Sequence, residues 1–197
     1  MNYLAHLYFA AATPESRIGN LMGDFARGAL DPDWPVSLRN GVWLHRKIDV
    51  FTDAHPCLLQ ARRRISPERR RLAGIILDIS FDHFLSRHWS QFSSQLKTDF
   101  IREVYRDLSR YRGYLPAKME RPLKMMVEQD WLSAYHSIDG VNRALDGVSR
   151  RFSRPTNLLG AGEEIEKNYA DLEKDFLEYF PQLIGYVSGL QMQLEIE

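Results

Sequence analysis

The stretch SPERRRLAGIILDISFDHFLSRHW, residues 66–89, decides the fold class of this 197-residue chain. Ser66 is suited to cap a helix, Pro67 fits a first helical turn, and Glu68 favours the positive end of the helix dipole. Downstream, apolar side chains recur every three or four residues and the row ends in a histidine, which is the spacing of one buried helix face. The row consists of Leu72, Ile75, Ile76, Ile79 and His83. The stretch therefore predicts one long helix over residues 66–89.

Helical periodicity also dominates the rest of the chain. It predicts further helices over residues 36–50, 98–112, 122–135, 139–152, 163–180 and 182–194. Breaker residues predict loops at 112–116 and 153–157, and no turn flanked by alternating apolar residues indicates a hairpin. Because a chain of this length supports one sizeable core, the expected fold is all-α, a compact single-domain helical bundle over residues 1–197.

The composition is that of an ordinary globular protein, with 44% hydrophobic and 26% charged residues, which argues against a disordered or fibrous chain. Cys57 is the single cysteine, so no intramolecular disulfide framework is expected. The first residues lack the basic segment and apolar run of a signal peptide. No apolar stretch approaches the roughly 20 residues that cross a bilayer. A cytoplasmic protein with no membrane span is expected.

The net charge is zero, but the charges form two poles. The basic pole consists of Arg62, Arg63, Arg64, Arg69, Arg70 and Arg71. The acidic pole consists of Glu163, Glu164, Glu166, Asp171, Glu173, Asp175 and Glu178. Either pole can be a solvated helix face. The positive field of the arginines also suits an acidic partner, and the residues alone leave nucleic acid and acidic protein as alternatives.

Histidines and aspartates at helical spacing are the main functional signal. His45, Asp49 and Asp53 follow one another at intervals of four, so a continuous helix projects them from nearly the same face. A hard divalent ion such as Mn²⁺ or Mg²⁺ suits mixed imidazole and carboxylate donors. This spacing therefore favours a metal site on that face.

The helix predicted over 66–89 repeats the theme with Asp78, Asp82 and His83. Two carboxylates at the border of a buried stripe require a counter-charge, which either a metal ion or an arginine, Arg46 or Arg87, supplies. A histidine alone on an apolar stripe is more often a core residue than a ligand, but the adjacent aspartate favours the metal interpretation. These residues predict a metal site that also includes His45.

Five ordered blocks of this chain resemble the acyl carrier protein phosphodiesterase family. They are Asn2–Leu7, Gly19–Phe25, Leu44–Asp49, Phe51–Pro56 and Phe81–Leu85. The resemblance implies a cytoplasmic enzyme that hydrolyses the phosphodiester joining 4′-phosphopantetheine to a serine of holo-acyl carrier protein. It also implies a fold like that of the HD phosphohydrolases, helical enzymes whose divalent cation is held by histidines and aspartates. The pair here reads Asp82-His83, the reverse of the usual HD order.

The resemblance assigns roles to particular residues. The expected metal ligands are Asp24, His45, Asp82 and His83, with Mn²⁺ as the expected ion and Mg²⁺ as the alternative. The expected catalytic residues are His6, Arg46, Asp49, His55 and Asp78. Among these, the two aspartates are expected to orient ligands or accept a proton, and the histidines and the arginine to act at the phosphate or leaving group.

The six arginines of the basic pole are then expected to dock the carrier protein, because acyl carrier proteins are generally small and acidic. Neither a nucleic-acid partner nor a membrane is expected. One alternative is an HD-like phosphohydrolase acting on a nucleotide or signalling phosphodiester, although no Gly-rich phosphate loop or Rossmann fingerprint is present. The other alternative is a non-enzymatic helical module that binds an acidic partner.

Overall fold

Helices make up all the regular secondary structure of the residues described by the computed structural model, which are 2–153 and 156–194. The α-helices are α1 (Tyr3–Phe9), α2 (Pro14–Met22), α3 (Val36–Ala54), α4 (Pro56–Arg64), α5 (Ala73–Arg87), α6 (Trp89–Phe92), α7 (Lys97–Arg110), α8 (Ala117–Glu128), α9 (Trp131–Ala134), α10 (Ile138–Ser149), α11 (Gly162–Lys167) and α12 (Tyr169–Leu194). The prediction of an all-α fold is confirmed. No helix in this part of the chain combines the length and apolar character needed to cross a bilayer.

The helix predicted over residues 66–89 is shorter at both ends than expected. It is α5, and a 3₁₀ turn at Arg70–Leu72 precedes it. The predicted cap at Ser66 is wrong, because its hydroxyl and its backbone N–H both donate to the Glu164 carboxylate. A long-range partner therefore takes the side chain that local sequence assigned to the helix start.

Two prolines lie inside helices where breaks were predicted. Pro122 lies within α8, which begins at Ala117, and Pro181 lies within α12. The two helices predicted over 163–180 and 182–194 are instead divided at Asn168, between α11 and α12. Buried packing on both sides of Pro181 outweighs its helix-breaking tendency.

The remaining predicted helices correspond to α3, α7 and α10, and the predicted loop at 112–116 is also confirmed. Arg154 and Pro155, in the second predicted loop, lie outside the described residues. The short helices α1, α2 and α4 were not predicted, since none is long enough to show a clear hydrophobic period.

Aromatic side chains of α5 and α12 form the centre of the core. Phe81 and Phe84 are fully buried against Phe176, with ring centroids 5.6 and 6.0 Å apart. Tyr179 lies 5.7 Å from Phe81 and extends this aromatic row along α12. Rings of this size bury large apolar areas and prefer tilted or edge-on pairs at these distances. The row fixes α5 against α12, and α5 also contacts α1, α4 and α10.

Two glycines let α2 and α3 approach until their backbones touch. A Cβ at Gly19 would overlap the carbonyl oxygen of Leu38, and a Cβ at Gly41 would lie 2.7 Å from the carbonyl oxygen of Ser16. Both positions are occupied by backbone atoms that cannot move independently of their helices. This contact sets the spacing between the two helices on which the candidate site is built.

The substitution Gly19→Ala should lower the free energy of unfolding by about 1–3 kcal/mol, because the added methyl group forces the two helices apart. Gly189→Ala in α12 is the matched control, since nothing lies within 4 Å of its added Cβ and alanine favours a helix by up to about 1 kcal/mol over glycine. Urea denaturation monitored by circular dichroism measures both changes. Equal stability of the two variants would contradict the close contact.

Candidate metal centre

Three side chains from two helices bring their donor atoms together. They are His6 of α1 and His45 and Asp49 of α3, and one donor atom from each lies within 4.8 Å of the others. His6 Nε2 lies 3.2 Å from Asp49 Oδ1, and His45 Nε2 lies 3.0 Å from Asp49 Oδ2. One carboxylate thus bridges two imidazoles. This mixed donor set suits a divalent cation.

The position of His45 is fixed by α2 and its end. Its Nδ1 lies 2.6 Å from the carbonyl oxygen of Asn20, which makes Nδ1 the hydrogen-bond donor and directs Nε2 toward Asp49. Gly23 ends α2 directly beside the ring, and a Cβ at that position would overlap the imidazole. The glycine therefore provides the space in which His45 lies.

The carboxylates open the centre to solvent, whereas the imidazoles are buried. Asp24 Oδ1 lies 3.5 Å from His45 Nε2, and the Asp24 side chain is 58% exposed. Asp49 is 39% exposed, while the side chains of His6 and His45 are 3% and 4% exposed. A substrate can therefore approach from the side of the two aspartates.

The His6 ring has polar atoms that the described residues leave unsatisfied. Its plane stacks on His45 with centroids 3.8 Å apart and an angle of 17° between the planes. Its Nδ1 is buried and has no hydrogen-bond partner among the described residues, and its buried Nε2 has only the 3.2 Å contact to Asp49. A buried polar atom without a partner costs free energy. A metal ion bound through this imidazole would satisfy one of its nitrogens, so the residues fit a metal.

The surroundings shift the pKa values of the two histidines in opposite directions. Burial, together with the charge of His45, lowers the pKa of His6 to about 4. Burial also favours the neutral form of His45, but the carboxylates of Asp24 and Asp49 outweigh it and raise the His45 pKa to about 9. Burial opposes ionisation of Asp49, yet the two histidines hold its pKa well below the usual range. The site therefore stabilises one positive charge, the protonated imidazole of His45. A divalent cation can replace that charge by displacing the proton from His45.

Asp82 and His83, two of the four expected ligands, lie apart from this group. Asp82 is fully buried, and its carboxylate oxygens accept the backbone N–H groups of Leu4 at 2.7 Å and Ala5 at 3.1 Å. Burial raises the pKa of Asp82 to about 7, although these two N–H groups favour the ionised form. The carboxylate thus holds the first turn of α1, the helix that carries His6.

Both ring nitrogens of His83 are also engaged elsewhere. Nδ1 lies 2.7 Å from the carbonyl oxygen of Tyr135, and Nε2 lies 2.9 Å from the hydroxyl of Tyr169. Of the predicted ligand set, the structure brings Asp24 and His45 together, and it adds His6 and Asp49, for which sequence had suggested other roles. The spacing of four between His45 and Asp49 was the signal that favoured this arrangement.

Arg46 and His55, two of the expected catalytic residues, serve the backbone and a neighbouring helix. The Arg46 guanidinium donates to the carbonyl oxygens of Ala26 at 2.7 Å and Gly28 at 2.9 Å, in the loop that follows Asp24. His55 Nδ1 accepts the N–H of Cys57 at the start of α4, and its Nε2 lies 3.3 Å from the side-chain oxygen of Gln182. Both residues thus have structural partners near the centre.

The pKa of Asp78 depends on its burial and on charges near the candidate metal centre. Burial raises its pKa, and the negative charges of Asp49 and Asp53 add to this effect. A carboxyl group held in this state is a better proton donor or acceptor near neutral pH than a free aspartate. Its predicted role in proton transfer stays a prediction.

Three arginines of the basic pole pair with carboxylates of this chain, two of them with carboxylates of the acidic pole. The pairs are Arg62 with Asp53, Arg64 with Asp171 and Asp175, and Arg69 with Glu163 and Glu164. Arg70 donates to the carbonyl oxygens of Arg63 and Ile65 but keeps an exposed side chain, as do Arg63 and Arg71. Half of the predicted docking arginines therefore hold acidic side chains of the same chain.

Comparison with known proteins gives one family. The family described as "Acyl carrier protein phosphodiesterase" matches residues 1–183. The chain is similar to proteins of that name from Klebsiella pneumoniae subsp. pneumoniae, 35% identical over 98% of this chain and 100% of the relative, and from Photorhabdus laumondii, 35% identical over 93% of each. A third, from Yersinia pestis, is 33% identical over 98% of this chain and all of its own. No solved structure is a significant match.

Asp82→Ala should lower the free energy of unfolding by about 2–4 kcal/mol, because two buried N–H groups lose their acceptor. Asp53→Ala is the control, since Asp53 is exposed and its surface pair with Arg62 contributes at most about 1 kcal/mol. Urea denaturation without added metal measures both. Unchanged stability with lost metal binding would instead make Asp82 a ligand.

Gly23→Ala should weaken binding of Mn²⁺ by about tenfold or more, because its methyl group displaces the His45 ring by a distance that metal coordination does not tolerate. Gly185→Ala, which meets nothing within 4 Å, should bind as the wild type does. Isothermal titration calorimetry with Mn²⁺ gives the two dissociation constants. If Gly23→Ala binds Mn²⁺ with wild-type affinity, His45 is not a ligand of the metal.

Proposed function

The chain belongs to the acyl carrier protein phosphodiesterase family, and from this premise we propose that it hydrolyses the phosphodiester between 4′-phosphopantetheine and a serine of holo-acyl carrier protein. The products would be apo-carrier and phosphopantetheine. The observation that carries the proposal is the family match over residues 1–183, which contains every residue of the candidate metal centre. Relatives bearing this name extend over nearly the whole chain.

We propose that His6, His45 and Asp49 hold a divalent cation and that Asp24 completes the set on the open side. The convergence of three donor atoms and the unsatisfied nitrogens of His6 support this assignment. Imidazole and carboxylate donors favour Mn²⁺ as the native ion, with Mg²⁺ as the alternative. When bound, the cation would stabilise negative charge on the phosphoryl oxygens and make water a nucleophile at neutral pH.

The protein residues contribute orientation and a water-poor surface. The hydrogen bond from His45 Nδ1 to the Asn20 carbonyl keeps Nε2 directed into the centre. The buried faces of the two imidazoles lower the local dielectric constant, which strengthens each electrostatic interaction with a phosphate. In the reaction, the water loses a proton as its oxygen bonds to phosphorus, the bond from phosphorus to the serine oxygen breaks, and the serine oxygen takes up a proton.

The relationship to HD phosphohydrolases stays a prediction. The Asp82-His83 pair that suggested it contacts the α1 backbone, Tyr135 and Tyr169, whereas the proposed cation lies on α1 and α3. The chemistry proposed here does not depend on that relationship, because any divalent site beside a phosphodiester supplies it.

Asp49→Asn should reduce hydrolysis of holo-acyl carrier protein in Mn²⁺ by more than about 100-fold, since loss of even an outer hydrogen-bond partner of a metal ligand costs 10–100-fold. The substitution preserves shape and removes the charge that bridges the two histidines. Mass spectrometry of the carrier measures the loss of phosphopantetheine. Asp53→Asn, one helical turn further along α3, is the control and should keep near wild-type activity.

Chelation of metal from the wild-type enzyme should abolish the same mass change, and added Mn²⁺ should restore it. A carrier whose mass stays unchanged with fully metallated wild type would refute the proposed function. Hydrolysis that persists at full rate in excess chelator would retain the substrate but refute the metal centre. Cyclic and linear nucleotides in the same assay test the alternative substrate class.

A further inference from the structure

A cleft of about 1030 Å³ lies between α8 and α10 and is separate from the candidate metal centre. Its floor includes Tyr3 at the start of α1 and Trp131 at the start of α9, whose rings stack with centroids 6.2 Å apart. None of the proposed metal ligands lines it. The cleft is therefore a second concave surface, and the reaction proposed at the metal does not involve it.

Each of the two helices turns one continuous face toward this cleft. On α8, Lys118, Arg121 and Met125 line it at intervals of three and four. On α10, the lining residues Ala144 and Val148 follow the same rule. Positions at this spacing lie on one side of a helix, and two such faces normally pack against each other or against a third helix.

The α10 face leaves room for an occupant. A Cβ added at Gly147 would meet nothing within 4 Å, and Ala144 beside it is small and partly exposed. At the far end of this face, the guanidinium of Arg151 lies 5.2 Å from the centre of the Trp131 ring. The cleft thus combines an apolar floor and open space with cationic edges.

Charge is strongly asymmetric around the cleft. The cations that line it are Lys118, Arg121, Arg143, Arg150 and Arg151, and none of them forms an ion pair with a carboxylate among the described residues. The one acidic lining residue, Asp146, accepts the backbone N–H of Gly160 at 3.4 Å. Arg143 lies in α10, and Arg151 lies two residues beyond the end of α10 at Ser149; the helical part alone, from Arg143 to Ser149, spans about 9 Å. Such spacing exceeds the reach of a single carboxylate or phosphate.

We propose that this cleft docks an acidic amphipathic helix of the carrier-protein substrate, an inference that rests on the proposed function. An apolar helix face would cover Met125, Val148 and Trp131, and carboxylates along its two edges would meet the cations on α8 and α10. A single-chain amphiphile fits less well, because it carries one anionic group and the cations are spread over two helices.

The position of the cleft links docking to the reaction. Tyr3 lines the cleft and His6 follows three residues later on α1, which is about 4.5 Å along the helix axis. A carrier seated in the cleft therefore contacts the same helix that contributes the buried imidazole to the metal centre. Docking and hydrolysis would then share α1 as their common element.

The test uses full-length protein with two kinds of cleft variant. The double variant Arg121→Glu/Arg143→Glu reverses charge at exposed positions on both helices, and Gly147→Leu fills the open space. We expect KM for holo-carrier to rise at least tenfold in each, with kcat unchanged. Hydrolysis of bis(4-nitrophenyl) phosphate in Mn²⁺ should stay within twofold of wild type. Lys124→Glu is the control, since Lys124 is an exposed cation on α8 outside the cleft.

Three results would overturn the inference. The first is a wild-type KM in the double variant. The second is an increase in KM confined to Arg63→Glu/Arg70→Glu, which would place docking on the basic pole. The third is a loss of affinity in Gly147→Leu that affects long-chain acylated carrier but not holo-carrier, because the occupant would then be the acyl chain.

Binding of apo-carrier, measured by calorimetry, separates this inference from the proposed function. If the wild type binds apo-carrier and the double variant does not, the cleft is the docking site even when holo-carrier is not hydrolysed. If wild type and double variant bind apo-carrier equally well, or the wild type does not bind it, the docking inference is wrong whatever the activity.

Discussion

The Asp82 carboxylate is buried in the core and accepts the N–H groups of Leu4 and Ala5. The helix that it holds, α1, has seven residues and no side-chain cap of its own, and a helix of that length is not stable in isolation. Because His6 lies in α1, the geometry of the candidate metal centre depends on a carboxylate that is not part of it. The other half of the centre depends on α3, which the glycine contact with α2 holds in place.

Ion pairs in this chain also join residues that are far apart in the sequence. Residues that make the sequence strongly basic near Arg62 and strongly acidic after Glu163 meet in the folded chain. Arg64 holds α4 against α12, and Arg69 holds the segment after α4 against α11. Asp175 and Glu164 are nearly buried in these pairs, where an unpaired carboxylate would be costly. The two poles of the sequence are thus neutralised only in part, because Arg63, Arg70 and Arg71 stay exposed. Five further cations without an ion pair among the described residues line the cleft between α8 and α10.

Local features were predictable from the sequence and distant ones were not. The all-α class and the shared face of His45 and Asp49 follow from helical spacing, which is a property of neighbouring residues. The resemblance implied a metal-ligand role for Asp24 and a different role for His6, and the structure places both side chains beside His45. The role of Asp82 was hidden because its partners are backbone groups 78 residues away, which no side-chain pattern reveals. The continuity of α12 through Pro181 likewise depends on buried neighbours and not on local propensity.

The long sequence separations around α1 have a consequence for biosynthesis. Its anchor on α5 spans 78 residues, and its far end meets α12 through the bond from Gln191 to the Phe9 carbonyl oxygen, a separation of 182 residues. Contacts this distant form late, because loop closure must precede them. A nascent chain therefore carries His6 out of the ribosome long before Asp82, the anchor of α1 on α5, and Gln191 on α12 have been made.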